Sequence, residues 1–179
     1  MFYVSEIRST APETFSTPLQ EKTYEALAHL KIPFERVETD EAIMMEDCVK
    51  IDEKLRMKMV KTLFLCTRHQ AEYFLFVTAG DKPFRSGAFS AALDVSRVSF
   101  APAERLQELL GTKIGAATVF SGLLDSARDV RFVIDRDVLN EEFYGCSDGT
   151  TTCYLKLRTK DVAQKLLPHA GHAAEIVAL

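Results

Sequence analysis

The sequence predicts an α+β (mixed α/β) domain, with one central, mixed and mostly antiparallel sheet flanked by helices. Two apolar, β-rich runs, residues 62–67 and 72–78, stand on either side of the short polar linker 68–71 and read as a hairpin in the middle of a sheet. Two segments carry complete helix signals: a capping box opens the first near residue 17, and Pro102 and Gly111 bracket the other. Strands and helices follow one another without the strict alternation of a doubly wound sheet.

The elements follow in order. Residues 1–16 read as a loosely held lead-in, and one domain covers 17–179. Thr17 suits the N-cap of a first helix, Pro18 its first turn and Gln20 the third capping position. Tyr24, Leu27 and Ala28 give that helix an apolar stripe, and Ile32-Pro33 stops it. Residues 34–38 alternate like a strand, and a second helix is expected over 46–59. After the hairpin, 80–83 form a turn, 86–93 a short helix and 97–100 a strand. Leu106, Leu109 and Leu110 face inward from the helix that Gly111 ends. Residues 112–125 are small and apolar, which suits backbone packed closely against a neighbour. Strands at 130–135 and 151–157, a helix from Thr159 to about Leu167 and a strand at 175–177 complete the chain.

Composition narrows the function classes. The chain has 179 residues, 47% hydrophobic and 27% charged, which suits one domain with a real core. No run of 18 apolar residues occurs, so no membrane helix is expected. The N-terminus lacks a basic stretch followed by an apolar one, and the cytoplasm is the expected compartment. The formal net charge of −4 argues against sequence-blind RNA binding, although a local basic patch can still meet one tRNA end. The four cysteines form no CxxC pair and have no histidine at ligand spacing, so neither a zinc site nor any other cofactor is expected. Cys48 and Cys66 read as small core residues. No GxSxG elbow and no Cys/His pair points to covalent catalysis.

Several segments in order resemble the YbaK/ProX-like family of aminoacyl-tRNA editing domains, the ProX branch in particular. They are Leu30-Lys31-Ile32-Pro33-Phe34-Glu35-Arg36-Val37-Glu38, Lys61-Thr62-Leu63-Phe64-Leu65, residues 94–106, 115–125 and 130–139, and the run 145–177 with Leu155-Lys156-Leu157. The resemblance implies a metal-independent hydrolase acting in trans on mischarged tRNA, with tRNA(Pro) carrying alanine or cysteine as substrate. It implies the tRNA acceptor end as partner and prolyl-tRNA synthetase as a second one. A catalytically degenerate module of the same fold that binds tRNA or a synthetase is the alternative.

Ester editing needs a snug pocket, donors for the oxyanion and a placed water or ribose hydroxyl, because a missing methylene is worth only about 1–3 kcal/mol in binding. Lys61 matches the family's functional lysine, and Thr62 could add a hydroxyl; both equally suit the end of an ordinary strand. Gly115, Ala116 and Ala117 form a small-residue loop whose N–H groups could cradle the ester, with Ile114 where the family has proline. Ser147, Asp148 and Thr151 fall at the family's histidine, proline and asparagine positions; the first two could orient a water and Thr151 could donate, or the stretch is a plain turn. Met44, Met45 and Phe120 could line an apolar amino-acid pocket or simply pack. The acidic run 38–41 reads as a solvated loop, where the family often has a histidine. The expectation that ties these together is that the Lys61 ammonium faces a hollow shared with Gly115 and Ser147.

Overall fold

A computed structural model describes residues 1–42 and 44–179. Among them, eight strands form two sheets rather than one. The first sheet has the order β1-β7-β6, with β1 Phe34–Glu38, β6 Phe143–Ser147 and β7 Cys153–Arg158, all antiparallel. The second has the order β4-β2-β3-β5-β8, with β2 Val60–Thr67, β3 Tyr73–Ala79, β4 Val98–Phe100, β5 Arg131–Asp135 and β8 Glu175–Val177. Its β2 is antiparallel to β3 and β4, whereas β3, β5 and β8 run parallel.

The expected 62–67/72–78 hairpin is the β2–β3 pair, and the mixed, mostly antiparallel α+β class holds. The division into two sheets was not legible because β6, Phe143-Tyr144-Gly145-Cys146-Ser147, carries a glycine and two small residues and does not read as a strand. Once β6 exists, β7 has partners on both sides and draws β1 into a separate sheet. A parallel bridge from Met59 to Gly145 is where the two sheets meet. Gly80 permits that crossing, since a Cβ there would stand 2.5 Å from the Met59 carbonyl oxygen.

The largest apolar cluster lies between the sheets. Phe64, Leu75, Val77, Phe132 and Ile134 of one sheet meet Tyr144, Cys146, Leu155 and Leu157 of the other, with Leu19 and Leu27 of α1 (Pro18–His29). Beyond the five-stranded sheet, Leu65, Phe74, Phe76 and Val133 pack on Phe89 of α3 (Ser86–Leu93). Beyond the three-stranded sheet, Val37 and Tyr154 pack on Ile51 and Leu55 of α2 (Met45–Leu55). Helix α4 (Ala103–Leu110) ends at Gly111, and α5 (Arg136–Leu139) follows β5. The last helix runs as α6 (Thr159–Asp161), a π-helical stretch Val162–Leu166 and α7 (Leu167–His169).

The caps form as expected, with one variation. Thr17 Oγ1 accepts the Gln20 N–H at 3.0 Å, while Gln20 Oε1 reaches back to the Ser16 N–H at 2.8 Å. Helix α2 stops at Arg56 in the left-handed region, four residues earlier than the periodicity predicts. The lead-in is tied down rather than loose: Ser5 N donates to Glu38 O, and Arg8 and Arg36 exchange backbone hydrogen bonds along β1. All four cysteines are free thiols.

Candidate active site

Three connections converge at one end of the three-stranded sheet: the segment between β1 and α2, the loop after α4, and the β6–β7 turn. Lys113 Nζ pairs with Glu41 Oε1 at 2.8 Å, and the Thr151 hydroxyl donates to the same oxygen at 3.1 Å. Gly115 is exposed at φ +89°, and a Cβ there would meet Thr151 Cγ2 at 3.8 Å. The Thr118 hydroxyl donates to the Ser147 carbonyl at 2.7 Å, fastening the Gly115 loop to the β6–β7 turn. The result is an open mouth rimmed by Glu41, Lys113, Gly115 and Thr151.

The backbone at this mouth is suited to an ester oxyanion. Ala116 N is bonded to Lys113 O, but the N–H groups of Gly115 and Ala117 meet no acceptor among the described residues. An L-residue seldom adopts φ +89°, so glycine is what allows this loop its turn. Glu41 supplies negative charge beside them. The hydrogen bond from Lys113, then that from Thr151, holds its carboxyl below the usual carboxylate range.

The predicted residues divide in the structure. Gly115 and Thr151 meet at the mouth, and Ser147 lies behind it. The Ser147 hydroxyl donates to Thr150 O and accepts the Gly149 N–H, so it is spent within its own turn. Asp148 is completely buried; its Oδ2 accepts from Gln20 Nε2 and the Tyr24 hydroxyl, and its Oδ1 from the Thr150 N–H and hydroxyl. It fastens α1 to the hairpin and reaches no solvent where it could orient a water. Burial, with Asp148 alongside, pushes the Tyr24 hydroxyl far above its ordinary range, so it remains a donor. Phe120 is fully buried in the inter-sheet core and Ala117 packs at its margin, so Phe120 packs the core rather than the mouth, while Ala116 is also buried. Met44 and Met45 are 58% and 76% exposed and rim the opening rather than wall it, as does Ile114 at 74%.

Lys61 is not brought to these groups. Met59, two residues earlier, bridges Gly145, two residues before Ser147, so the two backbones run side by side. Strand alternation nevertheless puts the Lys61 side chain with Leu63 and Leu65, on the face that packs against α3. Its ammonium donates to the Lys82 carbonyl. There Lys82 pairs with Asp135 at 2.8 Å and Asp137 at 2.6 Å. Thr62 has the opposite parity and shares the inter-sheet face with Phe64. Sequence reasoning missed Glu41 and Lys113: Glu41 ends an acidic run and Lys113 is a lone charge in a small-residue loop, and the signal, an acid where the family often has a histidine, is meaningful only once the loop containing Lys113 is seen across from it.

The two-sheet α+β fold is shared with solved structures. A scaffold from a study of computational epitope grafting superposes with a TM-score of 0.69 at 16% identity, over 91% of this chain and 97% of that one. A crystal structure described as a candidate trans-editing enzyme for prolyl tRNA synthetase gives 0.65 at 17% identity, over 93% and 99%. The chain belongs to the aminoacyl-tRNA editing domain family, whose model matches residues 41–165, and within it to the YbaK/ProX group. A relative from Acetoanaerobium sticklandii, the prolyl-tRNA editing protein ProX, is 25% identical over 153 residues, 86% of this chain and 93% of its own length.

Proposed function

We propose that the chain is a trans-acting deacylase that hydrolyses the ester of mischarged tRNA, with tRNA(Pro) carrying alanine or cysteine as substrate and prolyl-tRNA synthetase as the enzyme whose errors it corrects. The observation that carries the reading is the exposed Gly115 turn, where the N–H groups of Gly115 and Ala117 meet no acceptor among the described residues and so suit the developing oxyanion of ester cleavage. Glu41 and Thr151 beside it can hold the aminoacyl group and the attacking water in register. Met44, Met45 and Ile114 offer apolar contact for the terminal adenosine. Lys61 stays on the α3 side of the other sheet, with its ammonium on the Lys82 carbonyl, and takes no part in this mouth. A second site that cleaves the wrong ester adds selectivity to a first.

The experiment is to incubate the protein with alanyl-, cysteinyl- and seryl-tRNA(Pro) and follow amino-acid release. Release from at least one of them above the buffer rate, lowered by Gly115→Val, is the expected result; rates equal to buffer on all three overturn it. The commitment of Ser147 and Asp148 to internal hydrogen bonds favours one second reading, a module that binds the acceptor end without turnover. It predicts retention of mischarged tRNA on a filter with no release.

A further inference from the structure

We propose that Glu41 recognises the α-ammonium of the aminoacyl ester, so that the site accepts esters of free α-amino acids and discriminates against those whose nitrogen is acylated. The inference takes its reaction from the ester-hydrolase reading above. The residue is assigned by the arrangement at the mouth.

Glu41 is the carboxylate that the mouth presents to solvent, with a side chain 50% exposed. Both of its hydrogen bonds fall on one oxygen: Lys113 Nζ and the Thr151 hydroxyl both reach Oε1, and Oε2 has no partner among the described residues. One oxygen therefore fixes the side chain and the other is left as an acceptor. Thr151 links this acceptor to the cradle, because its hydroxyl holds Glu41 while its methyl lies against Gly115. In an aminoacyl ester the ammonium sits on the carbon next to the carbonyl. A site that grips the carbonyl oxygen with Gly115 and Ala117 must place the ammonium within a few ångströms of that grip. A carboxylate oxygen tethered through the adjacent Thr151 matches that demand.

The surrounding charges support the assignment. Lys113 faces Glu41 from the opposite loop and sits on Oε1. On the same segment, Asp40 accepts the Tyr3 N–H at 2.9 Å and Asp47 accepts the Met44 N–H at 3.0 Å. Glu46, in the first turn of α2, is exposed. A charged hydrogen bond to a fixed carboxylate is among the stronger single contacts available to a small ligand, and an N-acylated analogue would leave it unmade.

The test compares alanyl-tRNA(Pro) with N-acetylalanyl-tRNA(Pro), in hydrolysis and, through their 3′-amide-linked analogues, in binding. Wild type should favour the free amine by about tenfold or more, and Glu41→Gln should bring that ratio close to one. The wild-type preference should fall as pH rises through the α-ammonium's own titration, at roughly 7.7–8.0, and the Glu41→Gln ratio should not follow it. Lys113→Ala removes the ion pair but retains the carboxylate, and should keep the preference. A wild-type ratio near one, or a preference that survives Glu41→Gln, overturns the assignment. If no ester is cleaved, the deacylase reading fails, and the affinities of the two amide analogues for wild type and Glu41→Gln still decide the role of Glu41 by the same ratio.

Discussion

Two carboxylates lie within one corner of the molecule and are used in opposite ways. Asp148 is sealed in the β6–β7 turn with both oxygens saturated by four donors from Gln20, Tyr24 and Thr150. Glu41 faces it from the other side of Thr151, exposed, with two donors on one oxygen and none on the other. The same chemical group belongs to the scaffold in the first case and to the surface chemistry in the second. What separates them is how many lone pairs the protein itself has filled. A buried carboxylate with every acceptor used has nothing left for a substrate, and an exposed one with a spare oxygen contributes little to stability.

The largest effect should come from breaking the sealed side. Asp148→Ala strips an acceptor from three buried side chains, Gln20, Tyr24 and Thr150, and from the Thr150 N–H, and should lower the unfolding free energy by about 3–5 kcal/mol. Urea denaturation measures it. A variant that keeps full stability but loses activity would place Asp148 in the site and remove the contrast. On the open side, Gly115→Val puts a β-branched residue at φ +89°, which should cost about 1–2 kcal/mol of stability. Its effect on ester release should be far larger, on the order of a hundredfold, because the oxyanion donors move with the backbone.

A third carboxylate sharpens the comparison. Asp52 is half buried between α2 and the start of β2, its Oδ1 accepting the Met59 N–H at 3.0 Å. Burial pushes it up to about 6. A carboxyl whose folded value lies above its unfolded value of 3.8 adds stability that is fully present below 3.8 and is lost as pH rises through about 6. Asp52→Asn should therefore flatten the pH dependence of unfolding between those two values by about 1 kcal/mol, a figure reduced for the side chain's partial exposure. Unfolding curves at pH 4 and pH 6.5 check it; a wild-type curve that is flat across this window would show the carboxylate to be as well solvated as Glu41.

The sequence made the scaffold readable where local signals agree with the tertiary outcome. The Thr17 cap, the 86–93 helix, the β2–β3 hairpin and the 175–177 strand depend on neighbours in sequence, and all appear where the pattern puts them. Strand β6 depends on partners elsewhere in the chain and was missed. The site followed the same rule. Gly115 is legible because a small residue in a tight loop has local meaning. The Glu41–Lys113 pair joins positions 72 residues apart, and each alone reads as a solvated charge. Asp148 resembled a candidate for the same reason in reverse: Ser-Asp-Gly-Thr is polar in sequence, and only α1 folding over it shows that the polarity is spent inside.

The smallest expected effect is the most discriminating. The Lys113–Glu41 pair is exposed on both sides, at 64% and 50%, and such pairs add little to folding because water and salt compete for both charges. Lys113→Ala should change the unfolding free energy by less than about 0.5 kcal/mol. It should also let the Glu41 carboxyl rise toward the ordinary carboxylate range, since Lys113 is the leading cause of its depression. A side-chain carboxyl NMR titration of Glu41 reads that rise directly. If Lys113→Ala instead costs as much as Asp148→Ala, the two loops are a structural clasp and the mouth is not free to receive a ligand. If stability holds while the carboxyl titration moves, the pair tunes Glu41 without building the fold, and the carboxylate stays ionised at neutral pH and available to a cationic ligand with or without Lys113.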